Sequence, residues 1–191
     1  MLDTLTVDTT QFASSYTFLK EKHHSAKYTL RQELAAANNC IAIGNSSCYA
    51  DMVAVPRDYP DVVIKICSGE DMFIKYAHLC ATGRLIGPSH LKIFSETEIA
   101  PGVWLYVMER LDRHPTPKEM EMTVDRVRKE WLMPKRGRYA GICKRLHADL
   151  NEMIVALEES GLDLCDFYTD LHRGNVMYRK DGTLVYVDPI C

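Results

Sequence analysis

Asp170, Asn175 and Asp188 stand five and thirteen residues apart in two short stretches, Phe167-Tyr168-Thr169-Asp170-Leu171-His172-Arg173-Gly174-Asn175-Val176-Met177 and Tyr186-Val187-Asp188-Pro189. Set on loops between short apolar runs, two carboxylates and an amide at this spacing suit phosphoryl transfer. One carboxylate, Asp170, accepts the proton of an attacking hydroxyl. The Asn175 amide and the Asp188 carboxylate hold Mg²⁺ against the phosphates of a nucleotide.

The elements around them are expected to bring the two metal ligands together. Val176-Met177-Tyr178 and Leu184-Val185-Tyr186-Val187 read as strands, joined by the turn signal Lys180-Asp181-Gly182. A hairpin of this kind places Asn175, at the start of one strand, beside Asp188, at the end of the other. Asp, Asn and Gly are also ordinary turn residues, so a polar loop and a surface hairpin account for the letters singly but not for their agreement in spacing.

The segment resembles the catalytic loop and metal-binding strand pair of the protein-kinase-like fold. Its wording, Asp-Leu-His-Arg-Gly-Asn, is closer to aminoglycoside and choline kinases, and to the early serine/threonine kinases of short-tailed bacteriophages, than to ordinary eukaryotic protein kinases. The phage resemblance extends furthest, from about residue 40 to 191. It implies an α+β chain with a minimal bilobal protein-kinase-like fold and a truncated helical C-lobe. Residues 1–39 are then a helical extension, 40–111 a β-rich nucleotide-binding lobe, and 112–191 a helical lobe carrying the catalytic and metal-binding loops.

A kinase needs a strand lysine to neutralise nucleotide phosphates. Lys65 ends the β-branched run Asp61-Val62-Val63-Ile64-Lys65-Ile66, 105 residues before Asp170. Such a lysine also needs a carboxylate from the following helix; Glu70 is the expected partner and Asp71 the alternative, at the start of a helical stretch from Asp71 to Thr82. An acidic residue there is equally expected from the helix dipole. Upstream, the stretch from Ile41 to Ala50 reads as strand, polar turn and return strand, where backbone amides of Gly44, Asn45 and Ser46 are expected to cap phosphates. Only one glycine is present in it, and a plain hairpin turn predicts the same letters.

The apolar stretch from Gly102 to Leu111 turns polar at Glu109. By resemblance this is the interlobe hinge: Met108 flanks the adenine pocket, while Glu109 and Leu111 offer a carbonyl and an amide. His172, two residues past Asp170, stands where protein kinases often carry a phosphate-contacting lysine, and either touches the transferred group or shapes the loop. The His-Arg pair that usually precedes the catalytic Asp is Tyr168-Thr169 here. The sequence stops three residues after Asp188, so the activation segment and the helices that present peptide substrates are expected to be missing.

Composition is that of a folded chain, 47% hydrophobic and 26% charged, with a net charge of −3 that argues against a protein coating nucleic acid. No apolar run approaches a membrane span, and the start lacks the pattern of a signal peptide, so a cytoplasmic protein is expected, in the host cytoplasm if phage-encoded. Seven cysteines without a C-x-x-C pair read as reduced, with Cys40, Cys67 and Cys80 beside apolar runs. Neither a zinc site nor a disulfide framework is indicated, and His23-His24 reads as a solvated helix face.

Residues 9–38 read as helical, stopped by Asn38-Asn39. Ile142, Leu146, Leu150, Met153 and Leu157 recur at helical spacing, with Gly161 as C-cap. From Arg126 to Arg145 there are eight basic residues and one acidic, including Lys135-Arg136-Gly137-Arg138. Usually a solvated face, in an acidic chain this cluster suggests an acidic or nucleic-acid-associated host factor as partner. Taken together, the residues predict a kinase using ATP and Mg²⁺ to phosphorylate Ser or Thr of a protein substrate. Two alternatives stand beside it: a small-molecule kinase, and a kinase-fold binding protein that inhibits a host factor without catalysis.

Overall fold

The computed structural model describes residues 8–22, 27–43, 50–69, 71–113, 125, 141–161 and 174–189. It is a mixed α/β structure with a five-stranded antiparallel sheet, a two-stranded hairpin and, among the described residues, four helices. The chain divides into two compact units, residues 1–74 with 92–110, and residues 75–91 with 111–191.

In the first unit, helices α1 (Thr9–Lys22) and α2 (Lys27–Ala37) occupy the region read as one helical stretch. Asp8 caps α1, its Oδ1 accepting the Thr10 and Gln11 amides at 3.1 Å each, which satisfies donors that have no partner inside the helix. The stop at Asn38-Asn39 is real: Asn39 takes a left-handed φ of 53°, which Asn tolerates better than most residues, and the chain turns directly into the sheet.

Strands β1 (Cys40–Ala42), β2 (Ala50–Pro56), β3 (Val62–Ser68), β4 (Ile93–Ala100) and β5 (Val103–Glu109) pair in the order β1-β2-β3-β5-β4. Helix α3 (Met72–Ala81) lies in sequence between β3 and β4. The central strands alternate: Val62, Ile64 and Ile66 of β3, with Met52, Ala54, Leu105 and Val107, pack with Phe12, Tyr16, Leu19, Leu30 and Leu34 of α1 and α2 in one core. Period-2 geometry sends Val63, Lys65 and Cys67 to the other face. Register breaks occur in β2 between Ala50 and Met52, and in β4 at Ile93/Ser95 and Glu98/Ala100.

A polar cluster lies within this core. Asp51, 2% exposed, accepts the Tyr16 hydroxyl at 2.6 Å and pairs with Lys20 at 3.2 Å. Burial and the adjacent Asp51 carboxylate push the Tyr16 hydroxyl well above the ordinary tyrosine range, so it remains a donor. Burial likewise raises the Cys40 thiol to about 11, and Cys67 is a second buried cysteine of this sheet.

In the second unit, helix α4 (Gly141–Glu159) buries Leu150, Met153 and Leu157, the expected apolar stripe. Gly161 follows with φ 88°, its amide donating to Glu158 O at 2.9 Å, a left-handed helix stop that glycine adopts without strain. The hairpin strands are β6 (Val176–Tyr178) and β7 (Leu184–Tyr186), in the register Val176↔Tyr186, Met177↔Val185, Tyr178↔Leu184. Its turn is closed by the Arg179 amide on Thr183 O, with Gly182 at φ 85°. The Thr183 amide also donates to Asp181 and draws that carboxyl below its ordinary value. Among the described residues, no helix is long and apolar enough to cross a membrane.

Candidate functional site

Lys65, in the first unit, is only 6% exposed although lysine is rarely buried. It lies in the middle of the sheet, opposite Val53 of β2 and Tyr106 of β5. Its ammonium sits 3.3 Å from the centroid of the Phe73 ring, on the first turn of α3. Phe73 in turn meets Tyr106 edge to face, with centroids 5.4 Å apart, and the Tyr106 hydroxyl donates to Ile74 O at 3.3 Å. The negative face of the Phe73 ring thus supports a charge that burial would otherwise penalise.

Asp71, the alternative partner for Lys65, caps α3: its Oδ1 accepts the Phe73 amide at 3.0 Å. Glu70 lies outside the described residues, as do Gly44, Asn45 and Ser46. Met108 is buried, paired with Val63 and Ile93. Glu109 closes the end of the β4–β5 ladder. Its amide donates to Lys92 O at 3.0 Å and its Oε1 accepts the Lys92 amide at 2.9 Å, so two of its polar groups are committed to the sheet. Arg110 follows, its amide on Asp61 O and its guanidinium on Pro60 O.

Leu111 belongs to the second unit and is half-buried. Beside it Asp112 and Tyr178 exchange backbone bonds of 2.8 and 2.9 Å, tying the chain to β6. At the other end of the hairpin the Val187 amide donates to Asn175 O at 2.9 Å, and Asp188 is the next residue. Asn175 and Asp188 are both half-buried. Residues proposed as base and phosphate contact, Asp170 and His172, lie outside the described residues, as does the basic cluster apart from the backbone at the start of α4.

The hairpin is held from outside by the segment that follows α3. Tyr186 donates to Ser89 O at 2.8 Å, and the Arg179 guanidinium donates to the carbonyls of Pro88 and His90. The Ser89 amide is itself fixed by Asp149 of α4 at 2.9 Å. His90 lies against Tyr76 and Tyr186, its Nε2 3.5 Å from a Glu152 carboxylate oxygen. Burial lowers its pKa, while Glu152 and Asp149 pull the other way.

Sequence reasoning missed Phe73, Tyr76 and the 88–91 segment. Their only local signal is an aromatic residue in the first half of an apolar helix, which is also the signature of ordinary core packing.

No family model and no curated protein matches this chain. Among solved structures it is similar to a chain in the structure of the CAK complex from Chaetomium thermophilum bound to ATP-γ-S, at 17% identity and a TM-score of 0.43. That match covers 80% of this chain and 46% of the other, so this chain spans less than half of its length.

Proposed function

We propose that this protein is a phosphotransferase of protein-kinase-like type, using ATP and Mg²⁺ to phosphorylate Ser or Thr hydroxyls of a protein. The observation that carries the reading is the β6–β7 hairpin, whose Val187–Asn175 bond holds the Asn175 backbone against the residue preceding Asp188. A single amide oxygen and a single carboxylate are a donor set for a hard cation that takes its remaining ligands from phosphate and water.

Each residue then has one task. Asn175 and Asp188 hold Mg²⁺, which when bound screens the charge of the phosphates. Lys65 presents its ammonium to the nucleotide phosphates from the sheet face opposite the α1–α2 core, where Val63 and Met108 supply apolar surface. Asp170 orients the substrate hydroxyl and takes its proton, and His172 either steadies the transferred group or shapes the loop. Glu70 anchors Lys65, while amides of Gly44, Asn45 and Ser46 cap phosphates. Glu109 and Leu111 offer the adenine a carbonyl and an amide. The basic run from Arg126 to Arg145 recruits an acidic macromolecular partner by screened attraction.

The test is incubation of purified wild type, Asp170→Asn and Asp188→Asn with labelled ATP, Mg²⁺ and a cell lysate, followed by separation of labelled protein from labelled small molecules. Labelled protein bands are expected with wild type, and a fall of about 10²-fold or more in each variant, the scale of general-base and electrostatic contributions. Label confined to small molecules replaces the protein substrate with a metabolite. Transfer at wild-type level in folded variants removes both residues from the site, and no transfer by wild type refutes the enzyme.

A further inference from the structure

We infer that Tyr76 is a positioning residue for Asp188, its hydroxyl fixing the strand that carries this carboxylate and so setting how readily the site takes Mg²⁺; the inference rests on the phosphotransferase reading above. Successive residues of a strand direct their backbone groups to opposite edges. Val187 points inward, donating to Asn175 O at 2.9 Å, while Tyr186 points outward. On that outer edge the Tyr186 amide finds Ser89 O at 2.8 Å, and its carbonyl accepts the Tyr76 hydroxyl at 2.9 Å. The same oxygen of Tyr76 accepts the Leu91 amide at 3.2 Å. Helix α3, Leu91 and β7 therefore meet at the buried Tyr76 hydroxyl, which holds β7 at Tyr186, two residues before Asp188.

The tether matters because the hairpin has only three residues per strand, and a two-stranded ribbon of that size does not hold its own orientation in water. Tyr76 has 0% exposure, so its hydroxyl bonds are made out of contact with bulk water. Burial raises the hydroxyl far above the ordinary tyrosine range, keeping it a donor. A residue of this kind acts on a metal only through the ligand it orients, and such outer partners commonly govern affinity.

The experiment uses the full chain as wild type, Tyr76→Phe and, as control, Tyr16→Phe, which deletes another buried hydroxyl far along the sequence from Asp188. Phosphate transfer is measured against Mg²⁺ concentration at saturating ATP, alongside thermal unfolding. Tyr76→Phe is expected to raise the half-maximal Mg²⁺ concentration by about tenfold, with kcat at saturating Mg²⁺ within about twofold of wild type. Tyr16→Phe is expected to lower the melting temperature and leave the Mg²⁺ midpoint in place. An unmoved midpoint in folded Tyr76→Phe, or a fall in kcat alone, overturns the inference. If Tyr76→Phe does not fold, hydrogen exchange of the wild-type Leu91 amide decides: slowing on addition of Mg²⁺ and ATP supports the link, and no change overturns it. A wild type that neither binds Mg²⁺ with ATP nor transfers phosphate overturns the phosphotransferase reading and this inference with it, whereas an active wild type beside an unmoved Tyr76→Phe midpoint overturns the inference alone.

Discussion

The Lys65 ammonium rests 3.3 Å from the centroid of the Phe73 ring, so the buried cation of β3 is seated on the first turn of α3. A ring face offers attraction without a full counter-charge. The lysine is thereby held in place against the helix that follows its strand.

Replacing Lys65 by Met tests this seat. The cation–π attraction, about 0.5–2 kcal/mol, is lost, but the cost of keeping a charge inside the protein is relieved as well. Unfolding free energy should change by no more than about 1 kcal/mol, while phosphate transfer falls by about 10²-fold or more. Urea titration and a transfer assay on the same preparation check both. A folded, fully active Lys65→Met protein would remove Lys65 from the proposed chemistry.

Gly87 faces a crowded carboxylate. A Cβ there would lie 2.7 Å from Asp149 Oδ1, 2.9 Å from its Cγ and 3.0 Å from Glu152 Oε2. Asp149 is buried and bound to the Ser89 amide, so it has little room to yield. Gly87→Ala should cost about 1–3 kcal/mol, the scale of overpacking, seen as a lower denaturation midpoint. An unchanged midpoint would mean that Asp149 can move without penalty.

The Tyr16–Asp51 bond predicts a loss from Tyr16→Phe of about 1–3 kcal/mol, since a carboxylate that is 2% exposed keeps only Lys20 among its side-chain partners described above. Combining it with Asp51→Asn should give less than the sum of the two single losses. Strict additivity in this double-mutant cycle would show that the contact contributes nothing.

His90 predicts a dependence on acid. Burial depresses its pKa in the folded protein, so folding favours the neutral ring, whereas the unfolded chain takes up a proton near about pH 6.5. Its contribution to stability is therefore present above that pH and is lost as the pH falls below it. Between about pH 7.5 and 5.5 the drop in urea midpoint should be smaller for His90→Gln than for wild type. Equal drops would place the acid sensitivity elsewhere.

Much of the local structure was legible because periodicity is a local property. Val62–Ser68, Val103–Glu109, the Lys180-Asp181-Gly182 turn and the stripe of Leu150, Met153 and Leu157 follow from alternation, turn chemistry and helical spacing. What sequence did not disclose was which elements meet. The β3–β5 pairing joins Val62 to Glu109 across the whole of α3 and β4, and no residue in either strand names its partner. Phe73 as the seat of Lys65 and Tyr76 as the tether of Tyr186 depend on that same long-range register. Legibility of the site was uneven for a related reason: the spacing of Asn175 and Asp188 expresses a hairpin, whereas the groups committed by Glu109 to Lys92 express a tertiary ladder.

Among the described residues the five-stranded sheet ends on β1 and β4, and both are poor templates for a foreign strand. At one end β1 is only three residues long; at the other, β4 loses register twice and carries Glu96 and Glu98. A strand from another copy would find few aligned amides and carbonyls on β1, and on β4 a broken ladder with negative charge. These two described strands therefore disfavour edge-to-edge association when the protein is concentrated.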